Sequence, residues 1–416
     1  MKKLLFVLLI LLLAFGGYII YDNYFSNRIP RLDIEEETIS LDKLFIYGTH
    51  LSLHGSIVND DNLDLVLYNG DFISYDIINT EDGFSVSDKI NEGINLEKIP
   101  VGYYYAFIRS TTKDENDKEV FRYYAIKNNT DYKETKYYTF SDNNNAITIA
   151  SDDDYETLTF DVTQNKDTEV YDVVIDPGHG GLDSGASKNG RREADYTMKI
   201  ATNLKKKMED NGVKVKLTRE DGQLSKDETL PDYGTHGRAV IGHEVNAKYV
   251  FSIRLNSNAS SYVHGVEIYT ADNINYNLAD KMAKNIVSMA QSNYSTNKIN
   301  KVGSGVYTRT FTDYDIKSSL EEYKDRKMEA YDITTNSNYY YMIRETGGIM
   351  TGAYVDDRNT PRILENPYYD SNVGCEAYLL ELAYLTNEDD MTNIINNMDK
   401  YTDAIVNAFM DVFKDK

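Results

Sequence analysis

The stretch Val173-Val174-Ile175-Asp176-Pro177-Gly178-His179-Gly180-Gly181 decides the fold predicted for the second half of this chain. Its β-branched residues favour a strand, and the Pro-Gly-His-Gly-Gly turn ends that strand, so one histidine lies in an open loop. Glu193 then begins a segment whose apolar residues recur at steps of three and four, which predicts an amphipathic helix. A histidine at a strand end and a carboxylate in the first turn of the next helix can converge on one metal ion.

Strands and helices alternate throughout the residues around this stretch, from 168 to 416. The apolar patterns predict strands near 170–176, 213–218, 249–254, 266–269 and 377–383, and helices near 193–210, 238–246, 278–291 and 389–413. This alternation predicts an α/β domain with a mostly parallel central sheet flanked by helices. In such folds the site collects at the carboxyl ends of the strands, where His179, Arg254 and Glu381 fall.

The first half of the chain has a different pattern. Residues 43–165 contain short alternating apolar runs separated by Asn-Gly, Asp-Gly and Asp/Asn clusters, which predicts an all-β, sandwich-like domain. Tyrosine is abundant here and suits strands. Exposed tyrosines can also stack on sugar rings, so a carbohydrate-binding module and a structural spacer both stay open. Residues 27–42 are polar and acidic and are predicted to form a stalk.

The N-terminal residues 1–26 have the pattern of a membrane anchor. Lys2-Lys3 precedes an apolar run from Leu4 to Ile20. A helix of roughly 20 apolar residues spans a bilayer, and flanking lysines stay in the cytoplasm. No small-x-small cleavage site follows, which favours an uncleaved signal anchor, a transmembrane helix, over a cleaved signal peptide. The rest of the chain is then expected outside the cell membrane.

Charge and cysteine content exclude several classes of protein. The formal net charge is -23 and the pI is near 4.7, which argues against a nucleic-acid partner and against docking on anionic lipid through a basic patch. Cys375 is the only cysteine, so the chain cannot form an intrachain disulfide. Its apolar neighbours predict a buried, inert thiol.

The motifs of the second half together resemble the zinc-dependent N-acetylmuramoyl-L-alanine amidases, which cleave bacterial peptidoglycan. The resemblance runs from about Tyr171 to the C-terminus and rests on Asp176 to Gly181, Glu193, Leu217-Thr218-Arg219, Arg238, Ser252-Ile253, Gly265-Val266-Glu267 and Glu381 to Asn387. It implies Zn²⁺ as the cofactor, His179 and Glu193 as zinc ligands, and Glu381 as the catalytic carboxylate. It also implies that the amide between the lactyl group of N-acetylmuramic acid and L-alanine of the stem peptide is hydrolysed in the cell wall.

One position departs from the family pattern, because Arg254 occupies the place of a further ligand histidine. A guanidinium has no lone pair for a metal, so Arg254 cannot bind zinc. Three interpretations stay open. In the first, another histidine completes the site; the candidates are His264, His236 and His243. In the second, Arg254 pairs with Glu193 or Glu381 in a metal-free, inactive protein that binds peptidoglycan or a partner enzyme. In the third, Arg254 is an engineered or erroneous substitution in an active enzyme.

Two further arginines are candidates for contact with the substrate. Arg344 and Arg358 precede the strand of Glu381 in polar, loop-like segments. Either can hold a stem-peptide carboxylate in a bidentate grip, the alternative being an ordinary surface arginine. The acidic, tyrosine-rich segment 312–341 is predicted to be an insertion that either caps the cleft or has no role. The sequence therefore predicts a membrane-anchored amidase whose bulk lies at the cell wall.

Overall fold

The computed structural model describes residues 32–56, 62–80, 83–219, 237–325, 333–353 and 366–415. These residues form two large sheets, and each sheet has its own apolar core. The signal anchor predicted at 1–26 lies outside the described residues. Among the helices that are described, none has the length and apolar character needed to cross a bilayer.

The first sheet is built almost wholly from the N-terminal half, in agreement with its predicted all-β character. Its strands from this half are β1 (Ile39–Tyr47), β2 (His50–Gly55), β3 (Leu63–Tyr68), β4 (Phe72–Asp76), β5 (Ile78–Thr80), β6 (Gly83–Ser85), β7 (Ile94–Asn95), β8 (Gly102–Lys113), β9 (Glu119–Asn128), β10 (Glu134–Tyr138), β11 (Asn145–Asp152) and β12 (Thr157–Gln164). On β3, Leu65 and Leu67 enter the main core of this half, whereas Val66 and Tyr68 enter a smaller cluster. Because side chains alternate between faces, both faces of the sheet are covered there.

The second sheet belongs to the C-terminal half and contains the His179 strand. Its strands are β13 (Val173–Pro177), β16 (Val215–Leu217), β17 (Tyr249–Asn256), β18 (Glu267–Thr270), β19 (Lys301–Gly303), β20 (Val306–Thr308) and β22 (Glu376–Tyr384), in the order β16-β13-β17-β22-β18-β20-β19. Two short strands, β14 (Ser187–Lys188) and β15 (Arg191–Arg192), form a separate hairpin. The remaining strand, β21 (Val373–Gly374), pairs with β1 and so joins the two halves.

The sheet is mixed, which corrects the prediction of a mostly parallel sheet. Strands β16, β13, β17 and β22 are parallel, but β18 runs antiparallel to β22 and β19 antiparallel to β20. A parallel return needs a long crossover, usually a helix. Residues 257–266 contain no helix and connect the end of β17 to the start of β18. Strand β18 therefore begins at the edge where β17 ends and runs back in the opposite direction.

The described part of this half has six α-helices, and three of them lie where the sequence predicts helices, at 193–210, 278–291 and 389–413. The six helices are α1 (Glu193–Glu209), α2 (Ile241–Glu244), α3 (Asn277–Met289), α4 (Asp313–Asp325), α5 (Tyr341–Thr346) and α6 (Glu388–Lys414). The periodic apolar residues of α1, from Ala194 to Met208, are buried in the α/β core. The helix predicted near 238–246 is only the four residues of α2. Its short span follows from the turns on both sides, at 238–240 and at Asn246, where φ is positive.

Candidate active site

His179 lies in the loop that follows β13, and its backbone is held by two buried arginines. Its φ is +60°, a left-handed conformation that is uncommon outside glycine. Arg219 Nε donates to the carbonyl of Pro177 at 2.9 Å, and Arg238 Nη2 donates to the carbonyl of His179 at 3.1 Å. The two arginines therefore stabilise the loop conformation that presents the imidazole. Sequence reasoning included both residues in the family resemblance but assigned them no role.

The structure brings His179 and Glu193 together, as predicted. His179 Nε2 lies 3.1 Å from Glu193 Oε2, and His179 Nδ1 donates to Asp183 Oδ2 at 2.7 Å. Glu193 is buried and accepts hydrogen bonds from the backbone N–H groups of Leu255 and Ala186. Burial opposes protonation of His179, but the hydrogen bond and charge of Glu193 outweigh it and raise its pKa. The pair is thus a buried carboxylate fixed by backbone donors and a histidine held from both sides.

Arg254 points toward Asp176, and not toward Glu193 or Glu381 as in the second of the three interpretations of this position. Its Nη2 lies 3.4 Å from Asp176 Oδ2 and 3.3 Å from the hydroxyl of Tyr341. Its Nε donates to the hydroxyl of Ser252 at 3.1 Å. The side chain also lies against the backbone of Gly178, where a Cβ would be 2.4 Å from Arg254 Cδ. Arg254 therefore packs beneath the His179 loop as part of its support.

Asp176 is the centre of this buried network and is completely shielded from solvent. Its carboxylate accepts hydrogen bonds from Thr218 (2.7 Å), Ser252 (2.7 Å) and Arg238 (3.0 Å) as well as the contact from Arg254. Burial by itself would raise the pKa of Asp176. The charges of Arg238 and Arg254 and the hydroxyl donors outweigh burial and lower that pKa to about 2. Asp176 is consequently ionised and paired at every ordinary pH.

The described residues do not fit a three-ligand zinc site. His179 and Glu193 offer two donors, but the position of the third ligand holds a guanidinium. Within the described ranges, no three side chains of His, Cys, Asp and Glu are grouped so as to hold a metal. His264 and His243 therefore do not complete the site, and His236 lies outside the described residues. The Zn²⁺ that the resemblance implies therefore has only two of its expected ligands, His179 and Glu193, among the described residues.

His243 and Cys375 have structural surroundings instead. The His243 ring stacks on Tyr368 with centroids 4.6 Å apart, and burial lowers its pKa to about 4. Cys375 is buried, and its thiol donates to the carbonyl of Ala247 at 3.1 Å. The structure thus confirms that Cys375 is buried, and burial raises the pKa of its thiol to about 12.

Glu381 lies on β22 directly opposite Arg254 of β17 in the strand register. The ladder between these strands is irregular just beyond this pair, a common feature next to functional sites. Glu381 Oε2 is buried and has no hydrogen-bond partner among the described residues. Burial, followed by the negative charges of Glu193 and Glu267, raises the pKa of Glu381 well above its ordinary value. Glu381 therefore keeps its proton to a higher pH than an exposed glutamate.

Glu267 is a buried carboxylate that sequence reasoning did not single out. It faces Glu381 across the β18–β22 ladder and is fully shielded from solvent. Four side-chain donors satisfy it, and they belong to Ser295 (2.6 Å), Tyr269 (2.7 Å), Asn256 (3.2 Å) and Tyr384. Its position in the Gly265-Val266-Glu267 motif was the available signal. Glu267 is fully hydrogen-bonded, whereas its neighbour Glu381 is not.

Glu381 opens onto a cavity of about 340 Å³. The residues that line it include Asn256, Asn297, Tyr340 and Arg309. A larger cavity of about 410 Å³ lies elsewhere, between the two sheets, and contains none of the predicted site residues. The cavity beside Glu381 is therefore the candidate substrate site.

The two arginines predicted to bind substrate are not found in this cavity. Arg344 is buried, and its guanidinium donates to Glu345 (2.8 Å) and to the carbonyls of Asn338 (2.8 Å) and Tyr339 (2.9 Å). This placement corrects the prediction, because those donors stabilise the turn that leads into α5. Arg358 lies outside the described residues.

Comparisons with known proteins agree with the resemblance. A family model described as N-acetylmuramoyl-L-alanine amidase matches residues 173–411. N-acetylmuramoyl-L-alanine amidase AmiA of Escherichia coli (strain K12) is 32% identical over 102 residues, which are 24% of this chain and 32% of that protein. Probable cell wall amidase LytH of Staphylococcus aureus is 50% identical over 52 residues, which are 12% of this chain and 18% of that protein. The chain thus spans a third or less of the length of these curated relatives.

Solved structures of amidases also match the chain. The catalytic domain of CwlV, an N-acetylmuramoyl-L-alanine amidase from Bacillus (Paenibacillus) polymyxa var. colistinus, has 18% identity and a TM-score of 0.39, over 59% of this chain and 100% of that one. The CwlD amidase from Clostridioides difficile, solved in complex with the GerS lipoprotein, has 17% identity and a TM-score of 0.38, over 59% and 100% of the two chains.

Proposed function

This chain belongs to the N-acetylmuramoyl-L-alanine amidase family, and we propose that it hydrolyses the amide between the lactyl group of N-acetylmuramic acid and L-alanine in peptidoglycan. The observation that carries this proposal is the carboxyl group of Glu381, whose Oε2 has no protein partner among the described residues and which lines a cavity. Buried polar atoms are nearly always hydrogen-bonded, so an exception beside a cavity points to a ligand.

Glu381 has the properties of a proton donor for amide cleavage. The nitrogen of an amide must gain a proton before it can leave, and a positioned carboxylic acid can supply that proton. The raised pKa of Glu381 keeps the acid form available at higher pH. Once it has given its proton away, the carboxylate can accept one from the attacking water. We therefore assign Glu381 as the catalytic acid and base.

Zinc is not part of this mechanism. The described residues supply two donors, His179 and Glu193, and a guanidinium in the third position, so no step is assigned to a metal. His179 and Glu193 form a hydrogen-bonded pair, and the negative charge of Glu193 acts on Glu381. The proposed location is outside the cell membrane, where peptidoglycan lies, and anchoring through residues 1–26 remains a prediction.

A second candidate function is peptidoglycan binding without hydrolysis, and the placement of Arg254 favours it. Arg254 is 9% exposed, and its guanidinium is engaged with Asp176, Ser252 and Tyr341. A site that has lost one ligand to a well-held arginine retains its shape but lacks the group that activates water in zinc amidases. Such a protein would bind the wall or a partner enzyme.

Incubation of the full chain with purified peptidoglycan separates the two functions. Mass spectrometry identifies released stem peptides with a free L-alanine amino group, and co-sedimentation measures binding. We expect release by the unaltered chain and its loss in Glu381→Gln. Binding without release, together with release by Arg254→His, would establish the second function. A chain that neither binds nor cleaves peptidoglycan would contradict both.

A further inference from the structure

Arg309 and Glu381 line the same cavity, and the backbone around Arg309 is held by hydrogen bonds. Arg309 follows β20, and its carbonyl accepts the backbone N–H of Tyr339 at 2.8 Å. The next residue, Thr310, forms a β-bridge with Asn338. The guanidinium carbon of Arg309 lies 3.3 Å from the centre of the Tyr339 ring. Stacking on an aromatic face fixes the plane of a guanidinium and leaves its N–H edges free to bind ligands.

The protein uses little of the hydrogen-bonding capacity of Arg309. Among the described residues, the one hydrogen bond of its guanidinium joins Nη2 to Asp315 Oδ1 at 3.4 Å. The other oxygen of Asp315 accepts shorter bonds from the backbone N–H (3.0 Å) and hydroxyl (2.7 Å) of Thr312. A guanidinium has five N–H donors. Most donors of Arg309 are thus not used by Asp315, and 31% of its side chain is exposed.

The charges that line the cavity are unequal. Among the lining residues that the structure describes, Arg309 carries the only positive charge and Glu381 the only carboxyl group. The other polar walls are neutral, formed by asparagine amides, a threonine hydroxyl and tyrosine hydroxyls. Because the guanidinium of Arg309 is stacked on Tyr339 and makes only one long bond to Asp315, the cavity favours an anionic ligand on the side of Arg309.

We propose that Arg309 is a specificity-determining residue that binds a carboxylate of the stem peptide while the scissile amide lies beside Glu381. This inference rests on the proposed function, since it takes the peptide as the ligand. A guanidinium matches the geometry of a carboxylate and holds it through two parallel N–H···O bonds. The subsite formed by Arg309 therefore prefers stem peptides in which the residue after L-alanine has a free α-carboxylate. It binds stem peptides in which this α-carboxylate is amidated less tightly.

A pair of ligands that differ in one group tests this proposal. The full chain carrying Glu381→Gln, which prevents turnover, is titrated calorimetrically with N-acetylmuramoyl-L-alanyl-D-glutamate whose γ-carboxyl is blocked as a methylamide, so that the α-carboxylate is the only carboxylate of the ligand. A second titration uses the analogue in which the α-carboxylate of glutamate is a carboxamide. We expect the carboxylate ligand to bind about tenfold more tightly, since charged hydrogen bonds are roughly twice as strong as neutral ones.

Variants then locate the preference. Arg309→Gln is expected to bind both ligands equally, and Arg309→Lys is expected to keep part of the preference because it keeps the charge. The matched control is Arg122→Gln, which removes an arginine from the N-terminal sheet, 47% exposed and distant in sequence from the cavity. It is expected to leave the preference unchanged.

The outcomes distinguish this inference from the proposed function. Equal binding of the two ligands by the chain with Arg309 intact overturns the inference and leaves the proposed function standing. A preference that survives in Arg309→Gln also overturns it. Failure of both ligands to bind overturns the proposed function and the inference together. If Arg309→Gln does not fold, the comparison of the two ligands on the parent chain still decides.

Discussion

The candidate site has two ends, the closed end around Arg254 and Asp176 and the open end around Glu381 and Arg309. The two ends differ in how completely their buried charged groups are paired. Around Arg254, every charge has a partner, and Asp176 is surrounded by two guanidinium groups and two hydroxyls. Around Glu381, a carboxyl oxygen is buried with no partner among the described residues, and the neighbouring guanidinium of Arg309 is only weakly engaged. The first arrangement stabilises a fold, whereas the second leaves binding capacity for a ligand. We therefore expect amide hydrolysis to take place at the end of the site that contains Glu381.

The largest effect is expected from giving the closed end a metal ligand. Arg254→His replaces the guanidinium with an imidazole beside His179 and Glu193, which completes the three ligands that a catalytic zinc requires. Elemental mass spectrometry of the purified chain should find no zinc in the unaltered protein and about one per chain in the variant.

Arg254→Gln is the matched control, because it removes the same charge without adding a ligand, and it should remain free of zinc. One zinc per chain in the unaltered protein would contradict our description of the site. It would also indicate that a histidine outside the described residues, such as His236, binds the metal.

The next largest effect concerns the stability of the closed end. Asp176→Asn leaves the buried guanidinium groups of Arg238 and Arg254 without their carboxylate. Breaking a buried ion pair in this way costs about 3–5 kcal/mol. Urea denaturation should show this loss in the free energy of unfolding.

The control is Asp195→Asn, whose partner Arg192 is exposed. Its cost should be less than about 1 kcal/mol. Similar losses in both variants would show that the Asp176 network contributes no more than a surface pair.

The Asp176 network also predicts how the free energy of unfolding changes as the pH is lowered. The pKa of Asp176 is about 2 in the folded chain, below its unfolded value. Its contribution is therefore complete above the unfolded pKa and is lost as pH falls through the folded pKa. A shift of this size corresponds to about 2 kcal/mol. Unfolding measured between pH 5 and pH 2 should show this loss, and Asp176→Asn should reduce it. An unchanged acid profile in the variant would argue against the depressed pKa.

The open end predicts the opposite dependence on pH. The pKa of Glu381 is raised in the folded chain, so its favourable contribution is present at low pH and is lost as pH rises through the folded pKa. Glu381→Gln removes the cost of burying an ionised carboxylate. The variant should therefore be more stable than the unaltered chain at pH 8, by about 1 kcal/mol, as is common when an active-site charge is replaced. At pH 4 the two should be alike. Thermal unfolding at both pH values checks this, and a variant less stable at pH 8 would show that Glu381 supports the fold.

The smallest effect is expected at Arg309. Because its ion pair with Asp315 is long and partly exposed, Arg309→Gln should change the free energy of unfolding by less than about 0.5 kcal/mol. Arg254→Gln is the natural comparison and should cost more, since it removes a buried partner of Asp176. If the two losses are equal, the contrast between the closed and open ends is wrong.

Much of the site follows from local sequence. His179 and Glu193 belong to one strand–loop–helix unit, so their meeting depends on few residues between them. The helix α1 and the strands β13, β17 and β22 form where apolar periodicity predicts them. In contrast, the partner of Arg254 is Asp176, 78 residues earlier in the chain. Three of the four donors of Glu267, those of Asn256, Ser295 and Tyr384, come from other segments of the chain. No local pattern encodes such distant pairs.

The sequence by itself determined the family, the α/β character of the C-terminal half and the absence of a histidine at the third ligand position. It determined these because strand and helix periodicities, the Asp-Pro-Gly-His-Gly-Gly loop and a residue's chemistry are local properties. The tertiary structure alone decided that the sheet is mixed, that Arg254 pairs with Asp176, and that Arg309 and not Arg344 faces the cavity of Glu381. Strand register and loop connections set those outcomes, because they bring together side chains far apart in the sequence and decide which charges are satisfied.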